Sequence, residues 1–554
     1  MNKKVCSFPI LFALLALLIG TCAVVFPASA QAAPTSTGSI TVSGTVASSY
    51  DAYQIFSANV VDGDGDAKIA TDLAWASDAV RDAALPVLHS AGMSKSQTTA
   101  QEAAEWLNTD SHLTSALSAQ LARSLQSSGA VSVALNAGTT AELPCGYWLI
   151  VADDDAISQN EAGTAPIMAL VGGSAVTVKP KAATPKVVKH VLEDSTAAWQ
   201  KAADATVADD LYWRLSATVP AGLTAYDTYM VRFVDTMSAG LDPSKVAASM
   251  RVYVAAGADG GFDAVSTGKG GRVGTEPAKG WTDITAQCRV SVDDKTFTVR
   301  TGDLIAALGG ADAFIAGARV VAVYNAPLNS ACNHGIAKGN PNEVYLRYPR
   351  SPFADQSGDA GFTRTPSDDA CAYTWDLALT KRGSDGDKPL AGAVLSIADD
   401  RGRTLAADGM WDAEGKATVT TGEDGRVTVS GVDSGKLEVR ELKAPKGYTA
   451  FEGTRSVTVK AEGLDVDQVA AAKPKLTITA ESPLRADSAD GSTGSLEASL
   501  INTPTGTPPS IFTGGFMPLT GDMAMFTAAA VAVVGAALIV VALLVKRGGG
   551  SHKE

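Results

Sequence analysis

The residues most able to do covalent chemistry in this 554-residue chain are its cysteines. Cys145, Cys288, Cys332 and Cys371 lie far apart with no Cys-x-x-Cys pair, which argues against zinc. One or two disulfides are expected in an oxidising setting. Four cysteines allow three pairings, and the sequence leaves the choice open. Cys332 and Cys371, by position, are one candidate staple for the second of the domains described below. Asp62, Asp64 and Asp66 alternate as calcium-loop carboxylates do, but Ala67 stands where a glycine is needed and no glutamate closes the loop. The stretch STGKGGRVG lacks Gly-Lys-Ser/Thr and reads as a loop rather than a phosphate cradle. The five histidines are dispersed without His-Glu-x-x-His. His112 and His190 read as structural or exposed, and CNHG at Cys332–Gly335 does not by itself make a metal site. No metal, no cofactor and no turnover enzyme are expected.

The elements that carry these residues are bounded by two apolar segments. Lys3 and Lys4 precede an apolar stretch from Phe8 to Phe26, and Ala28-Ser29-Ala30 supplies small residues for cleavage after Ala30 or Ala33. Residues 1–30 therefore read as a secretory leader, which takes Cys6 and Cys22 with it. At the other end, Met523 to Val545 is an uncharged run followed by Lys546 and Arg547. A helix spanning a bilayer needs roughly 20 apolar residues, and flanking positive charge marks the cytoplasmic side. The bulk of the chain is expected to be exported and held by its C-terminus. A net charge of −14 argues against a nucleic-acid partner.

Between the ends there is room for three domains. Glycine, threonine, serine, valine and alanine are plentiful and long helical patterns scarce, the profile of exported β-sandwiches. The expected fold is mainly β: tandem immunoglobulin-like sandwiches, the first with a helical insertion, plus a C-terminal transmembrane helix. The first domain, 38–179, opens with SITVSGTVASSYDAYQIFSANV, continues through helical patterns such as TTAQEAAEWLNTDSHLTSALSAQLARSLQ, and returns to strands at YWLIVADDD. The second covers 182–372 and the third 373–504. A Pro/Gly/Thr linker, 505–516, leads to a terminal segment 517–554 with its span at 523–545.

Several motifs carry a family resemblance. Met517-Pro518-Leu519-Thr520-Gly521, followed by an apolar span and a short basic tail, resembles the cell-wall sorting signal of Gram-positive surface proteins, with Met517 for the leading leucine. YDAYQIF and GYWLIV resemble the N-terminal domain of fimbrial shaft subunits. PKVVKHVLED, LYWRLSATVP, YMVRFVDTMSAGLD and GNPNEVYLRYPRSP are similar to the middle, isopeptide-forming domain of backbone pilins. DLALTKRGSDGDKPLAGAVLSIAD, TGEDGRVTVSGVDSGKLEVRELKAPKGY and SLINTP look like a collagen-adhesin B-type domain.

The resemblance implies a major shaft subunit of a sortase-assembled, wall-anchored pilus. Its partners would be a sortase, other copies of itself, minor pilins, peptidoglycan and host surface ligands. A sortase would cleave between Thr520 and Gly521 and pass Thr520 to an amine. In VTVKPK, Lys181 matches the pilin-linking lysine, with Lys179 and Lys186 as alternatives. In the third domain Lys381, Glu441 and Asn502 match the residues of an intramolecular isopeptide bond. In the second, Lys189 and Asp235 match the lysine and its proton-relay carboxylate. The asparagine partner is missing there: Arg350 stands where it is sought, and Asn340 and Asn342 read as turn residues. The rival reading is a monomeric wall-anchored adhesin or minor pilin, although no Asp-x-Ser-x-Ser metal motif of tip adhesins occurs.

Overall fold

A computed structural model of the chain describes residues 36–506, apart from positions 45, 66, 110, 159, 164, 181–183, 222, 258–260, 311–312 and 314–315. The expected leader, linker, sorting motif and membrane span lie outside the described residues, as does Lys181. Among the described residues no helix is long and apolar enough to cross a membrane.

The first body is built on the strand Ser49–Asp62, which pairs with Lys68–Trp75 on one side and Gly146–Ala152 on the other. Register shifts between Gln54 and Phe56 and between Ser57 and Asn59 break its alternation. The strand therefore buries both faces. Tyr50 and Ala52 pack with Ile40, Trp148 and Ile150, while Tyr53 and Phe56 meet three helices. Those helices are α1 (Asp78–Ser90), α2 (Ala100–Asn108) and α3 (Ser115–Ser128). Each starts where a hydroxyl on Ser77, Thr99 or Thr114 accepts an otherwise unpaired backbone N–H. Thr99 and Glu102 complete a capping box, and Gly129 (φ 72°) ends α3 in the left-handed region. The helical insertion expected from sequence is this trio.

The second body is two facing sheets. One runs Ala198–Gln200, Lys186–Glu193, Tyr212–Val219, Ala318–Asn325, Arg251–Ala256 and Thr282–Asp283 in that order. The other runs Ala202–Asp204, Asp368–Tyr373, Asn340–Pro349, Arg232–Met237, Thr296–Arg300 and Arg289–Asp293. Trp213, Leu215, Val252, Phe233, Phe297, Leu346 and Tyr348 fill the space between them. Such side chains contribute roughly 1.5–3 kcal/mol each when fully buried.

In the third body the first strand, Trp375–Gly383, lies parallel beside the last, Ser495–Pro504, with Asp376 opposite Ser495 and Gly383 opposite Asn502. The facing sheet carries Val394–Ala398, Gly435–Lys443, Thr454–Glu462 and Lys475–Ala480. Trp375, Leu377, Leu379, Val439, Val457, Leu496 and Leu500 form the core.

The second and third bodies join without a linker. Thr374, fully buried, alone separates Asp368–Tyr373 from Trp375–Gly383. Asp204 Oδ2 accepts from Trp375 Nε1 (2.6 Å) and from the Ser434 N–H (2.9 Å) and hydroxyl (2.5 Å) across the joint. Arg403 grips Asp209 with two N–H groups, at 2.5 and 2.8 Å. Between the first and second bodies, Arg123 donates to the Ala225 and Pro352 carbonyls. The Gly163 N–H donates to the Arg350 carbonyl at 2.7 Å.

Candidate functional site: buried lysine, carboxylate and asparagine clusters

Strand alternation decides what reaches the third domain's core. In Trp375–Gly383 the inward positions are Trp375, Leu377, Leu379 and then Lys381. In Gly435–Lys443 they are Leu437, Val439 and Glu441. In the last strand Leu496, Ala498, Leu500 and Asn502 share one phase. Three polar groups thus enter the core at positions where the pattern calls for an apolar residue. The side chains of Lys381 and Glu441 are fully buried, and Asn502 nearly so.

Lys381 Nζ lies 3.6 Å from Glu441 Oε1 and donates to the Leu500 carbonyl at 3.2 Å. Asn502 Nδ2 donates to the same Glu441 oxygen at 2.8 Å. The other oxygen, Oε2, accepts from the Phe451 N–H at 3.1 Å, which fixes the carboxyl's orientation. Burial, opposed by Glu441, pulls the Lys381 amine down to about 8. The amine that results is neutral far more readily than an exposed one, and only the neutral form is nucleophilic. Asn502 Oδ1 is buried with no hydrogen-bond partner. An orphaned buried carbonyl costs about 1–3 kcal/mol, so its presence asks for a reason.

The second domain repeats the arrangement across its two sheets. Lys189 is inward between Val187 and Val191, and Asp235 between Phe233 and Met237. Both are fully buried. Lys189 Nζ donates to Asp235 Oδ2 and, at 2.9 Å, to the Tyr324 hydroxyl. The amine is walled by the rings of Trp213 and Tyr324, at 5.5 and 5.4 Å. Burial, against the pull of Asp235, lowers Lys189 to about 8. Burial also raises the Asp235 carboxyl, despite Lys189 and Tyr324. Both shifts move the pair toward neutral amine and carboxylic acid.

Of the two asparagines, Asn342 is the one that the fold brings to this cluster. Asn340–Pro349 is a strand, not a turn, and its inward phase reads Asn340, Asn342, Val344, Leu346, Tyr348. Asn342 lies opposite Met237, two residues beyond Asp235. Fully buried, it donates from Nδ2 to the Tyr324 hydroxyl at 2.9 Å, and that hydroxyl donates to Asp235 Oδ2 at 3.0 Å. Asn342 Oδ1 and Asp235 Oδ1 are buried without partners. Period-two alternation through NEVYLRY was the available signal; Pro341 between two asparagines masked it by suggesting a turn. Tyr324 had no sequence signal. Asn340 is engaged elsewhere, donating to the Asn333 and Ala372 carbonyls at 2.9 and 3.2 Å. Arg350, where an asparagine was sought, faces the first domain and donates to the Asp154 carbonyl at 3.2 Å.

The expected disulfides are not formed. Cys145, Cys288, Cys332 and Cys371 are all free. Each sulfur is lodged separately: Cys145 in the first domain's small core, Cys288 on the Ile284 carbonyl, Cys371 on the Ala372 carbonyl, Cys332 beside His334. Among the alternative linking lysines, Lys179 and Lys186 are both exposed. Asp62, from the acidic turn, is occupied by Lys68 and by the N–H and hydroxyl of Ser174.

Comparison with known proteins gives similarity in the same direction. Over 143 aligned residues the chain is 30% identical to the trypsin-resistant surface T6 protein of Streptococcus pyogenes serotype M6, covering 24% of each. The matched stretch thus spans about a quarter of that relative. Among solved structures, the T6 backbone pilin of serotype M6 Streptococcus pyogenes aligns over 85% of this chain and 98% of that one, at 17% identity and a TM-score of 0.46. The full-length major pilin SpaD of Corynebacterium diphtheriae aligns over 86% and 100%, at 15% identity and a TM-score of 0.41. Residues 376–473 match the family described as SpaA, prealbumin-like fold domain. Residues 376–473 are thus similar to a prealbumin-like domain, and a 143-residue stretch is similar to the T6 surface protein.

Proposed function

We propose that this chain is the shaft subunit of a covalently polymerised pilus, stiffened by two self-made lysine–asparagine amide bonds. The observation that carries the reading is the pair of buried lysine, carboxylate and asparagine clusters, each with a lysine depressed by burial and an unpartnered amide oxygen. A globular core gains nothing from such groups left unreacted.

In the third domain the Lys381 lone pair attacks Cγ of Asn502. Glu441 takes a proton from the Lys381 nitrogen as the bond forms and passes one to the departing nitrogen. The Nζ–Cγ bond forms, the Cγ–Nδ2 bond breaks, and ammonia leaves. The 2.8 Å contact between Asn502 Nδ2 and Glu441 supports that proton route. In the second domain Lys189 attacks Cγ of Asn342, Asp235 takes the proton that Nζ loses, and a proton returns through the Tyr324 hydroxyl to Nδ2, which leaves as ammonia when the Cγ–Nδ2 bond breaks. The fold holds the groups in place, a contribution of several kcal/mol to the barrier. Each reaction happens once, on the chain itself.

Polymerisation requires Thr520 to be passed by a sortase to Lys181 of another copy, and the basal subunit to peptidoglycan. An immunoblot of wall extracts boiled in detergent and reductant tests this. A ladder of high-mass species that collapses on Lys181→Ala supports the shaft. A single monomer-sized band sinks it and leaves a wall-anchored adhesin.

A further inference from the structure

Of the free cysteines, which all lie outside both clusters, Cys332 has a histidine beside its sulfur. The loop 329–339 leaves the second domain and reaches the third, and it carries Cys332 and His334. It is tightly held. Asn329 donates to the Ala239 and Leu241 carbonyls, and the Asn333 N–H donates to Asn340 Oδ1 at 2.8 Å. On the far side the Gly335 N–H donates to the Thr374 carbonyl and the Ile336 N–H to the Gly491 carbonyl. Gly335 and Gly494 pack backbone to backbone, so close that a Cβ on Gly335 would sit 2.5 Å from the Gly494 nitrogen.

This packing sets three side chains from two domains in a row. Cys332 Sγ lies 3.5 Å from His334 Nε2, and His334 Nδ1 lies 2.8 Å from Asp376 Oδ2. Asp376 is anchored through its other oxygen, which accepts from the Ser430 hydroxyl (2.6 Å) and the Gly431 N–H (3.1 Å). Burial pushes the Asp376 carboxyl up, but His334, Ser430 and Gly431 outweigh it and hold it below its ordinary value. Asp376 and the cysteine sulfur in turn hold the His334 imidazole protonated well above its usual range. A thiol beside an imidazolium that is ion-paired with a carboxylate has the parts of an activated nucleophile.

We propose that Cys332, His334 and Asp376 form a thiol-exchange site at the joint between the second and third domains, whose substrates are low-molecular-weight disulfides. Cys332 is only 8% exposed, which leaves small disulfides rather than protein disulfides as its candidate substrates. In the reactive form the Cys332 thiolate stands beside the protonated His334 Nε2. The thiolate attacks one sulfur of R–S–S–R, a Cys332–S–S–R bond forms as the old S–S bond breaks, and the departing RS⁻ takes the proton from Nε2. The products are a mixed disulfide and one thiol, and no other oxidant is required.

The test is the rate at which each cysteine of the purified chain is modified by hydroxyethyl disulfide, followed by peptide mass mapping from pH 6 to 8. An ordinary thiol, with a pKa of about 8.5, is well under ~1% thiolate at pH 6, so its rate climbs about tenfold per pH unit. Cys332 is expected to react at least about tenfold faster than Cys288 at pH 6, with a shallow pH profile. His334→Ala should restore the steep profile, while Asp376→Asn should lower the rate at pH 6. The proposal is overturned if wild-type Cys332 reacts no faster than Cys288 at pH 6, or if its pH profile is unchanged by His334→Ala. The wild-type profile alone decides the matter should a variant misfold.

Discussion

Asn342→Ala gives the sharpest test of the crosslinking chemistry, because it removes a residue whose role rests on tertiary placement. If Lys189 and Asn342 are joined, the bond closes a loop of about 150 residues. By the chain-entropy treatment of disulfides, such a closure contributes about 5 kcal/mol through the unfolded state. Losing the amide also strips Tyr324 of a donor, which adds about 1 kcal/mol. For a domain of this size each kcal/mol moves the melting temperature by about 2–4 °C, so the second domain's transition should fall by about 12–24 °C. Intact mass gives the direct reading. The wild-type chain should weigh less than its sequence by two ammonias, and the variant by one. Asn340→Ala is the control, since Asn340 is equally buried but bonds only to backbone groups. A wild-type mass equal to the sequence mass, or an unchanged deficit in Asn342→Ala, would refute the reasoning.

Three further outcomes follow from the same geometry. Glu441→Ala should leave Lys381 and Asn502 unjoined, so the mass deficit falls by one ammonia; an unaltered deficit would remove Glu441 from the chemistry. Asn502→Ala leaves Lys381 as a free buried amine near 8 in the folded state against 10.5 when unfolded. The unfolded chain then holds the extra proton between those values, so stability should rise with pH from about 8 to about 10.5, by about 3 kcal/mol in all. Denaturant midpoints that stay flat or fall across that window would contradict a neutral Lys381. Asp204→Ala leaves the Trp375 and Ser434 donors without their shared acceptor, at a cost of about 2–4 kcal/mol. Calorimetry should show the second and third domains melting apart, whereas a single unshifted transition would mean that Asp204 does not couple them.

The sequence by itself determined a good deal. Alternation and composition announced a mainly β chain, and resemblance to family motifs picked out Lys381, Glu441 and Asn502, which the strands place in phase with leucines and valines. A polar residue in an apolar phase is a local signal, since side chains two apart on a strand share a face. The helical insertion was equally local, marked by its helical pattern. Tertiary structure alone decided the rest. Asn342 needed the knowledge that Asn340–Pro349 continues as a strand through Pro341, beside Arg232–Met237. Tyr324 stands between Asp235 and Asn342 because two sheets face each other, and spacing along the chain carries no trace of that. The cysteines that spacing suggested as staples are held apart by packing, and Cys332 meets Asp376 only because the joint folds one domain's loop onto the next domain's first strand. Strand phase is written in neighbours two residues apart, whereas which strands face one another is set by the packing of the whole core.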